Sequence, residues 1–550
     1  MREYVSELEQ FDRVLRHFGG IQPTQSLNKL RIFVVRNHDR IADYLEDGQQ
    51  FSGIYFSDPR GPYAIVPRRS IGYGRTRVTG QNVLFHEYSH HFMMQYFPTS
   101  YPAWYVEGFA EFYSTIRFRS NGEIEVGRLT RGNIPWLRYG FWIPHEMLLS
   151  NRLRNNRMTY AQGWLLVHHA TFHAETRDAL NSYLRAISDG TEASEAYTQN
   201  FGDWDPSLDE ILTEYGTGRS LPASRRTLAL GASGPIEIEE LSDDEAMIAL
   251  LYARQGKALH DRVEELLEEH PDSPQLHVES AITAIARLDY PEAIEAADRA
   301  LAINANHVEA NIYKGIATLL SITAETGDGV AATESAEEEQ SDDEEQGDEP
   351  FDITRFFSIN LDEETATDPR WSEARSHFIR ANNADNNNAL ALLYYYLSFP
   401  DREDRPDDAM AALNQAFQFV PQAANIRLEL GKEMIEDRNF NEAAAIVRPV
   451  AQDPHQSGGR FMALLIQELA TREAGFDQAN AIVEELRAEA AAAEAADAEA
   501  ESRVAAAAGE DASDTAEESD TLDADIDTPN DPTLEGDPEH QEMIDEPDPQ

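Results

Sequence analysis

A helix-turn-helix period of about 34 residues in the second half of the chain restricts its fold more than any other feature. The segment His270-Pro271-Asp272 has its counterpart one period later in Asn304-Ala305-Asn306, and Ala/Leu-rich helical stretches follow both. A second helix opens within the period at Tyr290-Pro291-Glu292-Ala293, as another does later at Phe440-Asn441-Glu442-Ala443. A unit of this length holds two helices, and one pair alone cannot bury its apolar side. The spacing therefore predicts stacked pairs of helices.

This period, with small residues at the tight packing positions, resembles tetratricopeptide repeats. The resemblance covers residues 241–485, with room for about five or six degenerate copies of the unit. It implies an all-α solenoid that binds a protein partner. An acidic insert at 325–350 interrupts the repeats. The Ala/Glu-rich residues that begin the segment 486–550 are expected to extend the last helix before the tail.

Residues 1–220 carry a different pattern, in which short β-branched and aromatic runs precede amphipathic helices. Strands are predicted at 30–36, 53–56 and 63–66, and a hairpin is predicted around an Asn-Gly turn at 121–122. The strand at 63–66 is expected at a sheet edge, either to pair with an extended peptide or as an ordinary edge. Helices are predicted at 1–18, about 80–97, after Pro102, and at about 157–175, 177–188 and 206–215. Strands followed by helices predict an α+β domain over 1–220, with a linker at 221–240.

The motif His86-Glu87-Tyr88-Ser89-His90 lies on the predicted helix at 80–97. Two histidines at positions i and i+4 of a helix point the same way and can bind one zinc ion. Glu107, on the next helix, supplies a third ligand and leaves a coordination position open, as in a catalytic zinc site. The alternative is a helix with incidental histidines. The apolar residues around the motif argue against it, because burying two imidazoles beside a carboxylate costs free energy unless they are paired or bound to metal.

His86, Glu87 and His90, followed by Glu107 in the setting Trp-x-x-Glu-Gly-x-Ala-Glu, resemble the gluzincin clan of metallopeptidases. Within that clan the chain is most similar to poorly characterised bacterial peptidase-MA-like domains, which are often joined to tetratricopeptide repeats. The resemblance covers residues 1–220 and implies a zincin-like α+β fold with one Zn²⁺. Val106 stands where gluzincin aminopeptidases have Asn, and their Gly-x-Met-Glu-Asn motif is not found. An endopeptidase or an unusual specificity is therefore expected rather than a standard aminopeptidase.

Further residues take roles by the same resemblance. Glu87 is the candidate general base. Glu111, one turn after Glu107, is the candidate acceptor of a hydrogen bond from a ligand imidazole, His86 first, with an ordinary helix carboxylate as the alternative. Tyr160, in a segment similar to Tyr-x-Lys-Gly, is the candidate donor to the oxyanion, with a core tyrosine as the alternative. His168 is the reserve donor.

The charge of the chain is unevenly distributed. Residues 1–230 hold 25 acidic and 25 basic side chains, so the remainder carries the whole net charge of −55. The insert 325–350 has 12 acids and no base, and residues 488–550 have 22 acids and one base, so both are expected to be disordered. Such acidity makes nucleic acid an unexpected partner. There is no cysteine, which excludes disulfides and thiolate ligands.

The sequence does not decide the cellular compartment of the protein. No apolar run is long enough for a membrane span. The first residues are expected to form an amphipathic helix rather than a signal peptide, so the protein is cytosolic or its true start lies upstream of the supplied one.

These observations are compatible with two functions. The first is a zinc-dependent peptidase whose repeats bind protein, with a peptide or protein as its substrate. The second is a non-catalytic repeat scaffold with a peptidase-like binding domain. An intact Glu87 favours the first, because a binding domain has no chemical need for the base.

Overall fold

The computed structural model describes residues 2–22, 29–45, 51–71, 77–129, 132–140, 142–150, 157–218, 221–230, 234–325, 367–402, 404–452, 459–485 and 488. Over these residues the protein is mostly helical with two small sheets. Residues Met1–Val483 form one compact unit and Glu484–Gln550 a second. Nearly all of the acidic insert and the tail lie outside the described residues, so the disorder expected for them stays a prediction. None of the described helices is both long and apolar enough to cross a membrane.

The first sheet has three strands, β1 (Arg31–Val35), β2 (Ile54–Asp58) and β3 (Gly61–Pro67), in the order β1-β3-β2. β1 runs parallel to β3, and β2 is antiparallel to it. The prediction that residues 63–66 form a sheet edge is wrong, because β3 has a hydrogen-bonded neighbour on both sides. Its run of apolar residues is buried on both faces, as is typical of a central strand. The edge strand next to the predicted zinc helix is β2.

The two faces of this sheet are covered by different parts of the chain. On one face, Ala64 and Val66 of β3 pack against helix α1 (Arg2–Gly19) and helix α2 (Gly80–Tyr96) in a single apolar core. On the other face, Tyr63 and Ile65 pack with residues 41–45 and with Ala253. The helical half of the chain therefore completes the second layer of the sheet.

Helix α2 and helix α3 (Ala103–Ser114) follow the sheet and pack on each other. Thr79 and Asn82 form a capping box that starts α2, and Pro98 follows its end. Pro102 directly precedes α3. Both helices were predicted, and the structure confirms them closely, because capping residues and prolines mark the ends of these segments in the sequence.

The rest of the first half surrounds these two helices. Strands β4 (Arg117–Phe118) and β5 (Glu123–Val126) form the predicted hairpin, and β6 (Ser224–Thr227) extends it to a second sheet. Gly122 has φ of +80° in the turn, which favours glycine there. The remaining helices are α4 (Ile134–Tyr139), α5 (His145–Leu149), α6 (Arg157–Phe172), α7 (Ala174–Ser188), α8 (Ala193–Phe201) and α9 (Leu208–Thr217).

The second half consists of successive helices that pack on one another. They are α10 (Asp243–Leu251), α11 (Gly256–Glu269), α12 (Pro274–Ala286), α13 (Tyr290–Ile303), α14 (Val308–Glu325), α15 (Arg370–Ala384), α16 (Ala389–Leu397), α17 (Asp407–Phe419), α18 (Ala424–Glu436), α19 (Phe440–Gln452) and α20 (Arg460–Thr471). α13 and α19 begin at Tyr290 and Phe440, as predicted. Buried alanines such as Ala281, Ala296 and Ala297 allow close approach of neighbouring helices.

Both ends of this helical array contact the first half. Near its start, Gln255 N–H donates to the carbonyl of Tyr44 at 3.0 Å, and Arg254 donates to the carbonyl of Asp43 at 2.7 Å. Near its end, Arg448 on α19 donates to the carbonyl of Ser188 at 2.8 Å. The array therefore bends back onto the part of the chain that carries the His-Glu-x-x-His motif.

Candidate metal centre

Helices α2 and α3 bring the three predicted ligands together. Nε2 of His86 lies 3.3 Å from Oε2 of Glu107, and Nε2 of His90 lies 3.8 Å from Oε1 of the same carboxylate. The two imidazole rings are 4.7 Å apart and nearly perpendicular. Within the described part of the chain, one group of side chains comes close enough to hold a metal ion. It consists of His86, His90 and Glu107, whose ligand atoms all lie within 4.8 Å of one another.

These residues fit a zinc ion in both distance and chemistry. Ligand atoms held about 2.1 Å from one ion in tetrahedral geometry lie about 3.4 Å apart, close to the two separations between the imidazoles and Glu107. Two imidazole nitrogens and one carboxylate oxygen form a donor set that suits zinc. Glu107 is only 1% exposed, and a carboxylate buried so deeply needs a cation or hydrogen bonds.

Three carboxylates surround the imidazole of His86. Burial by itself would lower the pKa of His86, but the hydrogen bond and charge of Glu107, with Glu87 and Glu111 nearby, raise it to about 9. The site thus attracts a positive charge. A divalent cation would satisfy the same carboxylates while the imidazoles stay neutral.

Glu87 lies beside the ligands against the start of the edge strand β2. It is 6% exposed. A Cβ added at Gly53 would be 2.7 Å from Oε1 of Glu87 and 2.4 Å from Cγ1 of Val83. The backbone of Gly53 therefore lies close to the candidate base, and a larger residue there would displace Val83 or Glu87. Sequence reasoning placed Gly53 in a strand and missed this role, because the contact joins residues 34 positions apart.

Glu111 lies on the outer side of His86. Its Oε1 is 3.7 Å from Nδ1 of His86, which is longer than a hydrogen bond. The other ring nitrogen of His86, Nε2, faces Glu107. Asn133 donates to the other oxygen of Glu111 at 3.4 Å. His91 lies on a different side of α2, where its Nδ1 is 3.4 Å from the hydroxyl of Tyr55. Its burial and the charge of Arg16 lower the pKa of His91 to about 3.

Tyr160 is half-buried on helix α6, which packs against α3. The two helices meet at a pair of glycines: a Cβ at Gly108 would be 2.5 Å from the backbone of Gly163, and one at Gly163 would be 2.4 Å from the carbonyl of Trp104. Gly108 follows the ligand Glu107 directly, and Tyr160 precedes Gly163 by about one turn. This crossing brings α6 close to the metal-ligand helix, and the oxyanion role of Tyr160 stays a prediction.

His168 is buried and holds α6 to its neighbours. Its Nε2 lies 3.0 Å from the carbonyl of Gly127 and 3.1 Å from that of Pro222, and its Nδ1 lies 2.9 Å from the hydroxyl of Tyr215. Burial lowers the pKa of His168 to about 4. Both ring nitrogens are engaged in the fold, so His168 is left out of the candidate site.

Comparison with known proteins adds no assignment. No protein-family model matches the chain, and no curated protein is significantly similar to it.

Proposed function

We propose that the protein is a zinc-dependent peptidase of the gluzincin type, in which His86, His90 and Glu107 hold the ion. The observation that supports this most strongly is the convergence of two helices on one buried group of three ligands, with Glu87 beside it. When bound, zinc would supply a Lewis acid that polarises a peptide carbonyl and makes water more acidic.

The side chains around the ion would each carry one part of the hydrolysis. Glu87 would accept the proton of the attacking water and later pass it to the leaving amine. Gly53 packs close to this carboxylate and would limit its movement. Glu111 would orient the imidazole of His86 from its outer side. Tyr160 would donate a hydrogen bond to the oxygen that becomes negative in the tetrahedral intermediate.

Elemental analysis and peptide cleavage on one purified sample test this proposal. We expect about one zinc per chain and cleavage of members of a mixed peptide library. Glu87→Gln should keep the zinc and lose cleavage. Glu107→Ala should lose zinc affinity. Glu175→Gln, a change to an exposed glutamate on α7, is the control that should alter neither.

Two outcomes would contradict the proposal in different ways. Stoichiometric zinc without any cleavage would favour the alternative, a repeat scaffold whose peptidase-like part binds a protein without cutting it. Absence of zinc in the wild type, together with unchanged metal affinity in Glu107→Ala, would overturn the ligand assignment itself.

A further inference from the structure

Three arginines lie together at one end of the first sheet. Arg36 directly follows β1, and Arg68 and Arg69 directly follow β3, the parallel neighbour of β1. The N–H of Arg68 donates to the carbonyl of Val35 at 2.7 Å, and the N–H of Arg69 donates to the carbonyl of Arg36 at 3.2 Å. The two chain segments therefore stay paired beyond the strands. Since paired segments lie about 4.8 Å apart, the three arginines occupy neighbouring positions.

A fourth arginine, Arg77, lies near the same end of the sheet. Ile71 and Val78 exchange two backbone hydrogen bonds, at 2.8 and 3.0 Å, which brings Arg77 back towards the end of β3. Helix α2 starts at this point as well, because a Cβ added at Gly80 would lie 2.2 Å from the carbonyl oxygen of Pro67. The basic patch is the group of Arg36, Arg68, Arg69 and Arg77.

The basic patch has no acidic partner within the part of the chain that the structure describes. All four side chains are exposed, and none forms an ion pair or a side-chain hydrogen bond with another described residue. The acids that follow β1 are engaged elsewhere: Asn37 donates to Asp39 at 3.0 Å, and Arg40 pairs with Asp43 at 2.9 Å. The chain has 100 acidic and 45 basic side chains, so a shortage of acids does not explain the unpaired patch.

The charge of the patch favours an anionic ligand with several acidic groups. Four like charges held close together repel one another, and a bound anion relieves that repulsion. Each guanidinium presents N–H donors in a fork that matches the two oxygens of a carboxylate. Helix α2 begins beside the patch, so the positive end of its dipole adds to the same potential. A peptide segment with clustered carboxylates fits these requirements.

Helix α2 connects the basic patch to the candidate metal centre. A Cβ added at Gly80 would lie 2.7 Å from the carbonyl oxygen of Arg68, so the start of the helix lies against the patch. His86 follows six residues later on α2, which corresponds to about 9 Å along the helix axis. An extended peptide covers that distance with about three residues.

The edge strand β2 begins at the same end of the sheet. It is antiparallel to β3, and its first residue, Ile54, pairs with Ile65, three residues before Arg68. Gly53, just before β2, lies close to the carboxylate of Glu87. A substrate held beside Glu87 and the metal ligands therefore has the basic patch within about three or four residues of the bond that reacts.

We propose that the basic patch binds an acidic segment of the protein substrate, about three or four residues from the cleaved bond. The assignment rests on the proposed peptidase function and names its substrate class, a protein or peptide with clustered Asp or Glu on one side of that bond. The contacts would be exposed to solvent. The patch would therefore contribute affinity that falls with salt, because the screening length drops from about 10 Å at 0.1 M to about 3 Å at 1 M.

Binding to the full-length Glu87→Gln protein loaded with zinc tests the proposal without cleavage. Each probe has a hydroxamate, which chelates zinc, then three alanines and a block of three glutamates. Its matched partner has three glutamines. One pair has the hydroxamate at the C-terminus and another at the N-terminus, so the block lies on either side. At about 0.05 M salt, calorimetry should show at least about fivefold tighter binding of one glutamate probe than of its partner. At about 1 M salt the preference should disappear.

Variants then assign the preference to the patch. Arg68→Gln combined with Arg69→Gln, in the Glu87→Gln background, should abolish it. The matched control is Arg177→Gln combined with Arg185→Gln, which removes two exposed arginines on α7 that form no ion pair with a described residue. This control should keep the full preference. Thermal melting of each variant shows whether the protein is folded.

Steady-state kinetics provides a second measurement in the protein with Glu87 intact. For a cleaved peptide that carries the glutamate block, Arg68→Gln combined with Arg69→Gln should raise KM by at least about fivefold and leave kcat unchanged, because the patch does not contact the reacting bond. The glutamine version of the peptide should show no change. A fall in kcat for both peptides would mean that the variant disturbs the metal centre itself, and would count against the patch as a separate binding site.

The proposal is overturned if the glutamate and glutamine probes bind equally on both sides, or if the preference survives in folded Arg68→Gln with Arg69→Gln. If that variant does not fold, Arg36→Gln combined with Arg77→Gln decides in its place and should lower the preference. Salt-dependent binding of phosphatidylserine vesicles without any peptide preference would assign the patch to a membrane surface instead.

Failure of the peptidase proposal gives a different result. If the protein holds no zinc, probes with and without the hydroxamate bind alike. An acid preference in that case would support the patch as a binding site for acidic peptides and refute the metal centre. Zinc-dependent binding and cleavage without an acid preference would do the reverse.

Discussion

Gly53 leaves the space that the carboxylate of Glu87 occupies. A methyl group at this position would lie 2.4 Å from Cγ1 of Val83 and 2.7 Å from Oε1 of Glu87, so these side chains would have to shift. We expect Gly53→Ala to lower kcat/KM by about ten- to a hundredfold, because a displacement of about 1 Å in a catalytic group has that effect. Zinc content should not change, since the atoms nearest to an added Cβ belong to Val83 and Glu87 rather than to the three ligands. Steady-state kinetics with elemental analysis measures both.

The control for this variant is Gly234→Ala, where an added Cβ meets no atom within 4 Å. It should leave kcat/KM unchanged. Full activity in Gly53→Ala would show that Glu87 has room to adjust, and would remove the argument that this glycine keeps the base in place.

Glu279 on α12 makes stability depend on pH. It is 3% exposed, and burial, followed by the nearby charge of Glu309, raises its pKa to about 7. The folded state therefore keeps a proton that the unfolded chain loses above its own pKa of about 4.3. Since the folded form binds more protons, stability falls as pH rises from about 4.3 to about 7 and stays lower above that.

Glu279→Gln should remove this loss. At pH 8 we expect the variant to be more stable than the wild type by about 1–3 kcal/mol, with no gain below pH 5. The amide can still form a hydrogen bond with Gln275, which lies 2.8 Å from Oε1 of Glu279. Urea unfolding at pH 5 and pH 8 provides the comparison. An equal effect of the substitution at both values would contradict the titration of Glu279.

At the level of secondary-structure elements, the crossing of α3 and α6 leaves little spare room. A Cβ at Gly163 would be 2.4 Å from the backbone carbonyl of Trp104, which cannot move without moving α3. We expect Gly163→Ala to cost about 1–3 kcal/mol of stability, as overpacking does. It should also weaken zinc binding, because α3 carries Glu107. Thermal melting and competition with a zinc-binding dye measure the two effects.

Gly202→Ala is a useful comparison, because it crowds only the turn at the end of α8, far along the chain from the ligands. It should reduce stability without changing zinc affinity. If Gly163→Ala destabilises the protein but binds zinc normally, the crossing does not position Glu107.

Local sequence was sufficient for some elements and for the side chains that form the candidate metal centre. The starts of α13 at Tyr290 and α19 at Phe440 follow from turn residues and small residues nearby. The pair His86 and His90 follows from helical spacing, and Glu107 follows from its motif on the next helix. The order of strands was not predictable in this way. β3 is central because β1 pairs with it from a distance along the chain, and its neighbours in sequence do not show that pairing.

The same limit applies to the residues that sequence reasoning missed. Gly53 contacts Glu87, and Arg427 contacts Pro98, across 34 and 329 positions. Arg427 looks like an ordinary helical arginine until α18 is placed against the end of α2. The ligand set was visible because it lies on two consecutive helices, whereas the surrounding contacts depend on how the whole chain folds back.

In the whole molecule, the helical array is part of the core that supports the candidate metal centre. Ala253, just after α10, is fully buried against the face of the first sheet formed by Tyr63 and Ile65. The opposite face of that sheet supports α2. A change at Ala253 should therefore destabilise the metal site although it lies beyond the α+β region predicted over 1–220.

We expect Ala253→Asp to cost about 3–5 kcal/mol of stability, because it buries a charge without a partner. Since Met1–Val483 form one compact unit, calorimetry should show one transition that moves to lower temperature as a whole, and zinc release should coincide with it. Ala253→Ser, which adds a single hydroxyl group instead of a carboxylate, is the control and should have a much smaller effect. Two separate transitions, with zinc retained through the first, would show that the sheet and α2 do not depend on the helical array.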